Sequence, residues 1–221
     1  MDLTMPHVRN NDRILDKIAS KLSRSSNLSA IAEEPVSRTR AAVAMIVNPA
    51  AEDIEVLFIQ RARHPDDPWS GHIAFPGGKL EDGEFACQAA QRETFEETGI
   101  DLQEAVYLGQ FPDIVGANLP VRVSCCLFAI NRQDINPVLN DEVSDLFWVG
   151  LPVLRDRKRH IETKVTFDDR SMVVPAICLP DDDRPVLWGI TYRLVMEFFA
   201  VLEMPDSGTT LCEPAPYEIS I

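Results

Sequence analysis

Between Gly78 and Ile100 the chain reads GKLEDGEFACQAAQRETFEETGI, and Glu84, Arg92, Glu93, Glu96 and Glu97 stand there at a spacing that could do chemistry. At about 100° per residue of α-helix, Glu93, Glu96 and Glu97 fall within an arc of roughly 100°. Like charges at i,i+3 and i,i+4 repel, so the cluster is destabilising until a positive charge neutralises it. Oxygen-only donors in this number suit Mg²⁺ or Mn²⁺ rather than zinc. The plainer reading of such a run is a solvated acidic helix face.

The elements that would position these side chains can be read on either side. Asp82-Gly83 signals a turn, with Asp82 an expected N-cap, and Gly99 is a natural residue just past a helix end. No proline or glycine interrupts the stretch between them. Ala86, Ala89 and Ala90 continue the acidic arc towards the N-terminus, so the helix could lie close to a sheet. Pro76-Gly77-Gly78, just ahead, demands an unusual backbone. Arg61, Arg63, His64 and Lys79 are candidates for touching phosphate, and Trp69 for stacking on a base. Against that stands surface pairing of these cations with Asp66, Asp67 and Glu81, and a place for Trp69 in the core.

Taken in order, Ile14, Leu15, Ile18 and Leu22 recur at helical spacing between Asn10 and Ser23. Such a helix could pack on the domain, make a homodimer contact or lie on a membrane surface, packing being the default. Residues 24–39 read as linker. Strands are expected at Ala41–Val47 and Glu55–Gln60, joined as a hairpin, then at Ala105–Phe111, Arg122–Ile130 and Leu146–Val149. Val165–Phe167 and Met172–Cys178 form a second expected hairpin. Leu187–Glu203 reads as a helix with Ile190, Leu194, Val195, Phe198 and Leu202 on its apolar side. The expected division is an N-terminal helix and linker over 1–39, a domain over 40–204 and a loosely held tail over 205–221.

The 221 residues suffice for one domain with a full core, and 45% hydrophobic with 25% charged residues is ordinary for a globular protein. A formal charge of −14 argues against a generic nucleic-acid partner, because a surface that negative repels phosphate backbones. No apolar stretch reaches the roughly 18 residues of a membrane span. Five cysteines without a C-x-x-C motif, and no visible signal peptide, lead to an expectation of reduced thiols in a cytoplasmic compartment. Adjacent Cys125 and Cys126, in an apolar run, are expected in the core.

The Gly78-to-Gly99 spacing, with Glu84, Arg92, Glu93, Glu96 and Glu97 between, resembles the Nudix box. The resemblance implies an α+β fold of the Nudix type, an α/β/α sandwich with a mixed sheet. It also implies metal-dependent hydrolysis of a diphosphate bond in a small nucleotide substrate, with Mg²⁺ or Mn²⁺ on Glu93, Glu96 and Glu97. Arg92 would orient a box carboxylate, Glu84 would be its structural partner, and Gly78 and Gly99 would frame the motif. The general base would be a box glutamate, Glu93 foremost, or Glu142 from a later loop. Arg61-Ala62, Gly71, Phe75–Gly78, Asn140–Val143 and Leu187–Thr191 further resemble coenzyme A pyrophosphatases. Asp66, Asp67 and Pro68 depart from that branch, lengthening the loop and adding charge that would repel a 3′-phosphate. ADP-ribose or another nucleoside diphosphate derivative is the alternative substrate. A Nudix-fold sensor that binds a nucleotide without cleaving it is the alternative class.

Overall fold

The computed structural model describes residues 10–25, 39–49, 52–64, 69–116, 121–167, 170–181 and 183–204. At its centre two strands, β1 (Thr39–Asn48) and β7 (Val121–Ala129), run parallel from the Thr39–Val121 pair to the Val47–Ala129 pair. β2 (Glu55–Arg61) joins β1 antiparallel with Val47 opposite Val56, which is the expected hairpin. β8 (Val143–Gly150) and the short β3 (Ile73–Ala74) flank β2 antiparallel. On the other side β5 (Val106–Gln110) and β6 (Ile114–Val115) pair with β7, while β4 (Gly77–Lys79) pairs with β1. A second, three-stranded sheet is built from β9 (His160–Phe167), β10 (Arg170–Ile177) and β11 (Leu187–Trp188).

Both faces of the main sheet are buried, which is why its central strands read as continuous apolar runs. Ala42, Ala44, Ile46, Leu57, Ile59, Cys126 and Phe128 face α2 (Ala86–Thr98), with Ala89 and Ala90 against them. Met45, Val47, Val56, Phe58, Cys125 and Leu127 face the opposite layer. That layer contains α1 (Asn10–Ser25), α3 (Leu151–Arg155) and α4 (Gly189–Glu203). Leu15, Ile18 and Leu22 of α1 are buried in the same core as Leu194, Val195 and Phe198 of α4. The result is an α+β sandwich, helices over both faces of a mixed sheet.

Three expectations change. Phe85, not Asp82, precedes the first turn of α2, and its backbone N–H donates to the Gln88 side chain at 3.1 Å. Asp82 and Gly83 remain in a turn upstream. Leu187 and Trp188 are strand rather than helix, because they pair with Ile177 and Ala176 before α4 begins. The expectation of reduced thiols fails at Cys87 and Cys126, which form a disulfide with Cα atoms 5.7 Å apart. The cause is the small-residue face of α2, whose alanines let the helix settle on β1 and β7. The thiol count therefore no longer argues for a reducing compartment. Cys125 and Cys126 are both buried in the core, as expected. No helix among the described residues is long and apolar enough to cross a membrane.

Candidate active site

The site starts from two adjacent glycines, the first in a place that only glycine can fill. A Cβ on Gly77 would stand 2.2 Å from the Ala42 carbonyl oxygen, and its φ of +150° already disfavours a side chain. A Cβ on Gly78 would stand 2.4 Å from the Glu93 carboxyl carbon. β4 thus passes flush against β1 on one side and the Glu93 carboxylate on the other. The Ala44 N–H donates to the Pro76 carbonyl at 2.9 Å, which fixes the preceding turn on β1.

From that turn the Gly77 N–H donates to Oε2 of Glu97 at 2.9 Å. Glu97 is only 2% exposed. Burial drives its carboxyl up to about 7; the Gly77 bond and Arg61 oppose the rise, while Glu93 and Glu142 add to it. Burial also raises Glu93, against the pull of Arg92, with Glu96 and Glu142 contributing further negative field.

Arg92 sits at the hub. Its Nε and Nη2 each donate to Glu84 at 3.0 Å, a two-pronged bond, and Nη2 also reaches the Lys79 carbonyl at 3.1 Å. Nη1 donates to Glu93 at 2.9 Å and to Glu96 at 3.3 Å. The bond to Glu84 raises the guanidinium pKa further above its ordinary value, and in return holds the Glu84 carboxyl below the usual range.

Glu142 arrives from 44 residues or more along the chain through a loop fastened to the end of α2. The N–H groups of Val138 and Asn140 donate to the carbonyls of Thr98 and Glu97 at 2.8 and 3.1 Å. Gly99, at φ +68°, closes the helix and leaves room for Val138 beside it. The Glu142 carbonyl accepts from the Ala62 N–H at 2.8 Å, tying the loop to the end of β2. There Arg61 follows a register irregularity in the β2–β8 ladder and lies 3.9 Å from Oε1 of Glu97.

Sequence-predicted residues thus divide. Glu84, Arg92, Glu93, Glu96, Glu97, Arg61 and the Glu142 loop converge around the start of β4 and the last turns of α2. Lys79 gives the site its carbonyl, while its side chain is exposed. Arg63 and His64 are exposed on the segment after β2. Trp69 is 39% exposed in a turn and is not a core residue. Asp66, Asp67 and Pro68 lie outside the described residues. Missed in the sequence were the Gly77 N–H as a donor to Glu97 and the docking of residues 138–140 on α2. Neither leaves a periodic signal, since both depend on distant backbone meeting in space.

The carboxylates supply an all-oxygen donor set with excess negative charge, which fits a hard divalent cation. Among the described residues, however, no three acidic, histidine or cysteine side chains are gathered tightly enough to hold one. Glu93 and Glu96 lean on Arg92, and Glu97 on Gly77.

The family model for the NUDIX domain matches residues 37–169, well over half of the chain. The chain belongs to the Nudix family. That family generally uses divalent metal ions, in keeping with the donor set. An uncharacterized Schizosaccharomyces pombe protein is 28% identical over 200 residues, covering 73% of this chain and 60% of that one. Nudix hydrolase 3 of Caenorhabditis elegans is 26% identical over 151 residues, covering 62% of each. The chain therefore spans about three-fifths of the length of these curated relatives. In fold it is similar to a MutT/nudix family protein from Enterococcus faecalis. That structure has a TM-score of 0.51 and 20% identity, covering 80% of this chain and 67% of the other.

Proposed function

We propose that this Nudix protein hydrolyses a diphosphate bond in a nucleoside diphosphate derivative, with coenzyme A or an acyl-coenzyme A as the leading substrate. The observation that carries the reading is the meeting of the box carboxylates with Glu142 and Arg61 at one end of α2. Glu142 contributes negative field at both Glu93 and Glu97, and Arg61 contributes the opposing field at Glu97.

A divalent cation, Mg²⁺ or Mn²⁺, held by Glu93, Glu96 and Glu97, would neutralise the diphosphate oxygens. The chain's own residues do the rest. Arg61, beside the buried carboxylate, binds a phosphoryl oxygen as Glu97 is neutralised. Glu142 accepts a proton from the attacking water as its oxygen bonds to phosphorus in line with the departing phosphate. Arg92 keeps Glu93 and Glu96 oriented, and Glu84 keeps Arg92 in place. Arg63, Lys79 and Trp69, all solvent-facing, offer phosphate and base contacts at the rim.

Coenzyme A is favoured by Arg61-Ala62, the Phe75–Gly78 turn and Leu187–Thr191. In the last of these, Trp188 stacks edge-on with His72 at 5.0 Å, and the Thr191 hydroxyl donates to the Ile73 carbonyl at 3.1 Å. The test is hydrolysis of a nucleotide panel with Mg²⁺ and with Mn²⁺, the products identified by mass. Coenzyme A should give adenosine 3′,5′-bisphosphate and 4′-phosphopantetheine. Faster cleavage of dephospho-coenzyme A or ADP-ribose would replace the substrate and keep the reaction. Tight nucleotide binding with no metal-dependent turnover would make the protein a sensor instead.

A further inference from the structure

We propose that Asn140 is the positioning residue for Glu142, holding the loop carboxylate in register with the box helix; this rests on the reading of Glu142 as general base. One residue makes both connections. Its backbone N–H donates to the carbonyl of Glu97 at 3.1 Å, and its side-chain Oδ1 accepts the backbone N–H of Glu142 at 2.8 Å. Asn140 therefore joins the residue bearing the buried carboxylate to the residue bearing the exposed proton acceptor.

Glu142 needs such a device. It is exposed, in a two-residue turn leading into β8, so packing does not determine where its side chain points. Its backbone is instead held from several sides. The Ala62 N–H holds its carbonyl at 2.8 Å, and the Val143 N–H closes the turn on the Asn140 carbonyl at 3.3 Å. Val138 docks the loop on Thr98 at 2.8 Å one step earlier. Among these, the Asn140 side chain is the bond made directly to the Glu142 N–H. An asparagine or aspartate oxygen can satisfy an N–H two residues on, which alanine cannot. Asn140→Ala deletes that bond while leaving the backbone link to Glu97 intact. Asn140→Asp keeps the acceptor.

The test uses the full chain with Mg²⁺, coenzyme A and ADP-ribose as probes, together with amide exchange at Glu142. Asn140→Ala should lower kcat about tenfold or more with KM unchanged, because a misplaced base costs rate rather than binding. The Glu142 amide should exchange faster, and Asn140→Asp should restore most of both. In a Glu142→Gln background, Asn140→Ala should do nothing further to kcat, whereas a merely structural loss would persist there. A wild-type kcat in Asn140→Ala, an undiminished loss in the Glu142→Gln background, or no rescue by Asp would each overturn the proposal. Full activity of Glu142→Gln would instead remove the base on which it rests. If the wild type cleaves neither probe, the hydrolytic reading falls first and takes this proposal with it.

Discussion

Arg92 balances four carboxylate oxygens on one guanidinium, and the residue-scale predictions turn on what happens when that balance shifts. Glu96→Gln or Glu97→Gln should cut turnover by on the order of a hundredfold, since each removes a charged donor from the reacting centre. Near-full activity at saturating Mg²⁺ in either variant would end the metal assignment. Glu97 also makes a prediction for the metal-free protein. Its folded carboxyl sits at about 7, against an ordinary 4.5. Between those values the folded state keeps a proton that the unfolded state has lost, so raising the pH through this window lowers stability. The difference from Glu97→Gln should amount to about 3 kcal/mol, at 1.36 kcal/mol per unit, and urea titrations from pH 4.5 to 7.5 would measure it. A difference that stays flat with pH would mean Glu97 is ionised when folded. The placing of Glu93, Glu96 and Glu97 along one side of α2 was legible because helical periodicity alone aligns them. The partner of Glu97 was not, because Gly77 reaches it across a tertiary contact.

At the scale of elements, α2 is held by its sequence and by a covalent tie. Its alanine face foretold a close approach to the sheet, and that closeness is what brings Cys87 to Cys126. The pairing itself was hidden, since an odd count of scattered cysteines does not say which two will meet. Removing it with Cys87→Ser should cost about 2–4 kcal/mol, the usual worth of closing a loop of this size. Thermal melts with and without a thiol reductant would check this, and an unchanged Tm would mean the two sulfurs are not bonded in solution. The start of α2 was misjudged because Asp82 has the right chemistry for a cap, yet Gly83, at φ +82°, keeps the turn from running on into helix. Likewise the apolar rhythm from Leu187 matches a helix, and only pairing with β10 makes its first two residues strand.

For the molecule as a whole, the two buried faces have separate tasks. One carries the site, and the other is filled partly by α1, which lies far from it in sequence. Gly109 shows how close that packing is: a Cβ there would stand 2.6 Å from the Leu22 Cβ. Leu22→Ala should therefore cost about 2–5 kcal/mol in chemical unfolding while leaving kcat per folded molecule unchanged. A fall in kcat itself would show that α1 reaches the chemistry. The layered fold was legible from strands and helices of ordinary pattern, but the placing of α1 was not, because its stripe suits any apolar surface. The central pair, in which Thr39 meets Val121 and Val47 meets Ala129, sets an order on biosynthesis. While a ribosome is still releasing the box helix, β1 has no β7 to lie beside and Glu142 has not been made. Until then the box glutamates have only Arg92 of their own helix as a partner, through seconds of elongation at roughly 5–20 residues per second. During that interval the box helix carries a local excess of negative charge that the later strand and loop have yet to enclose.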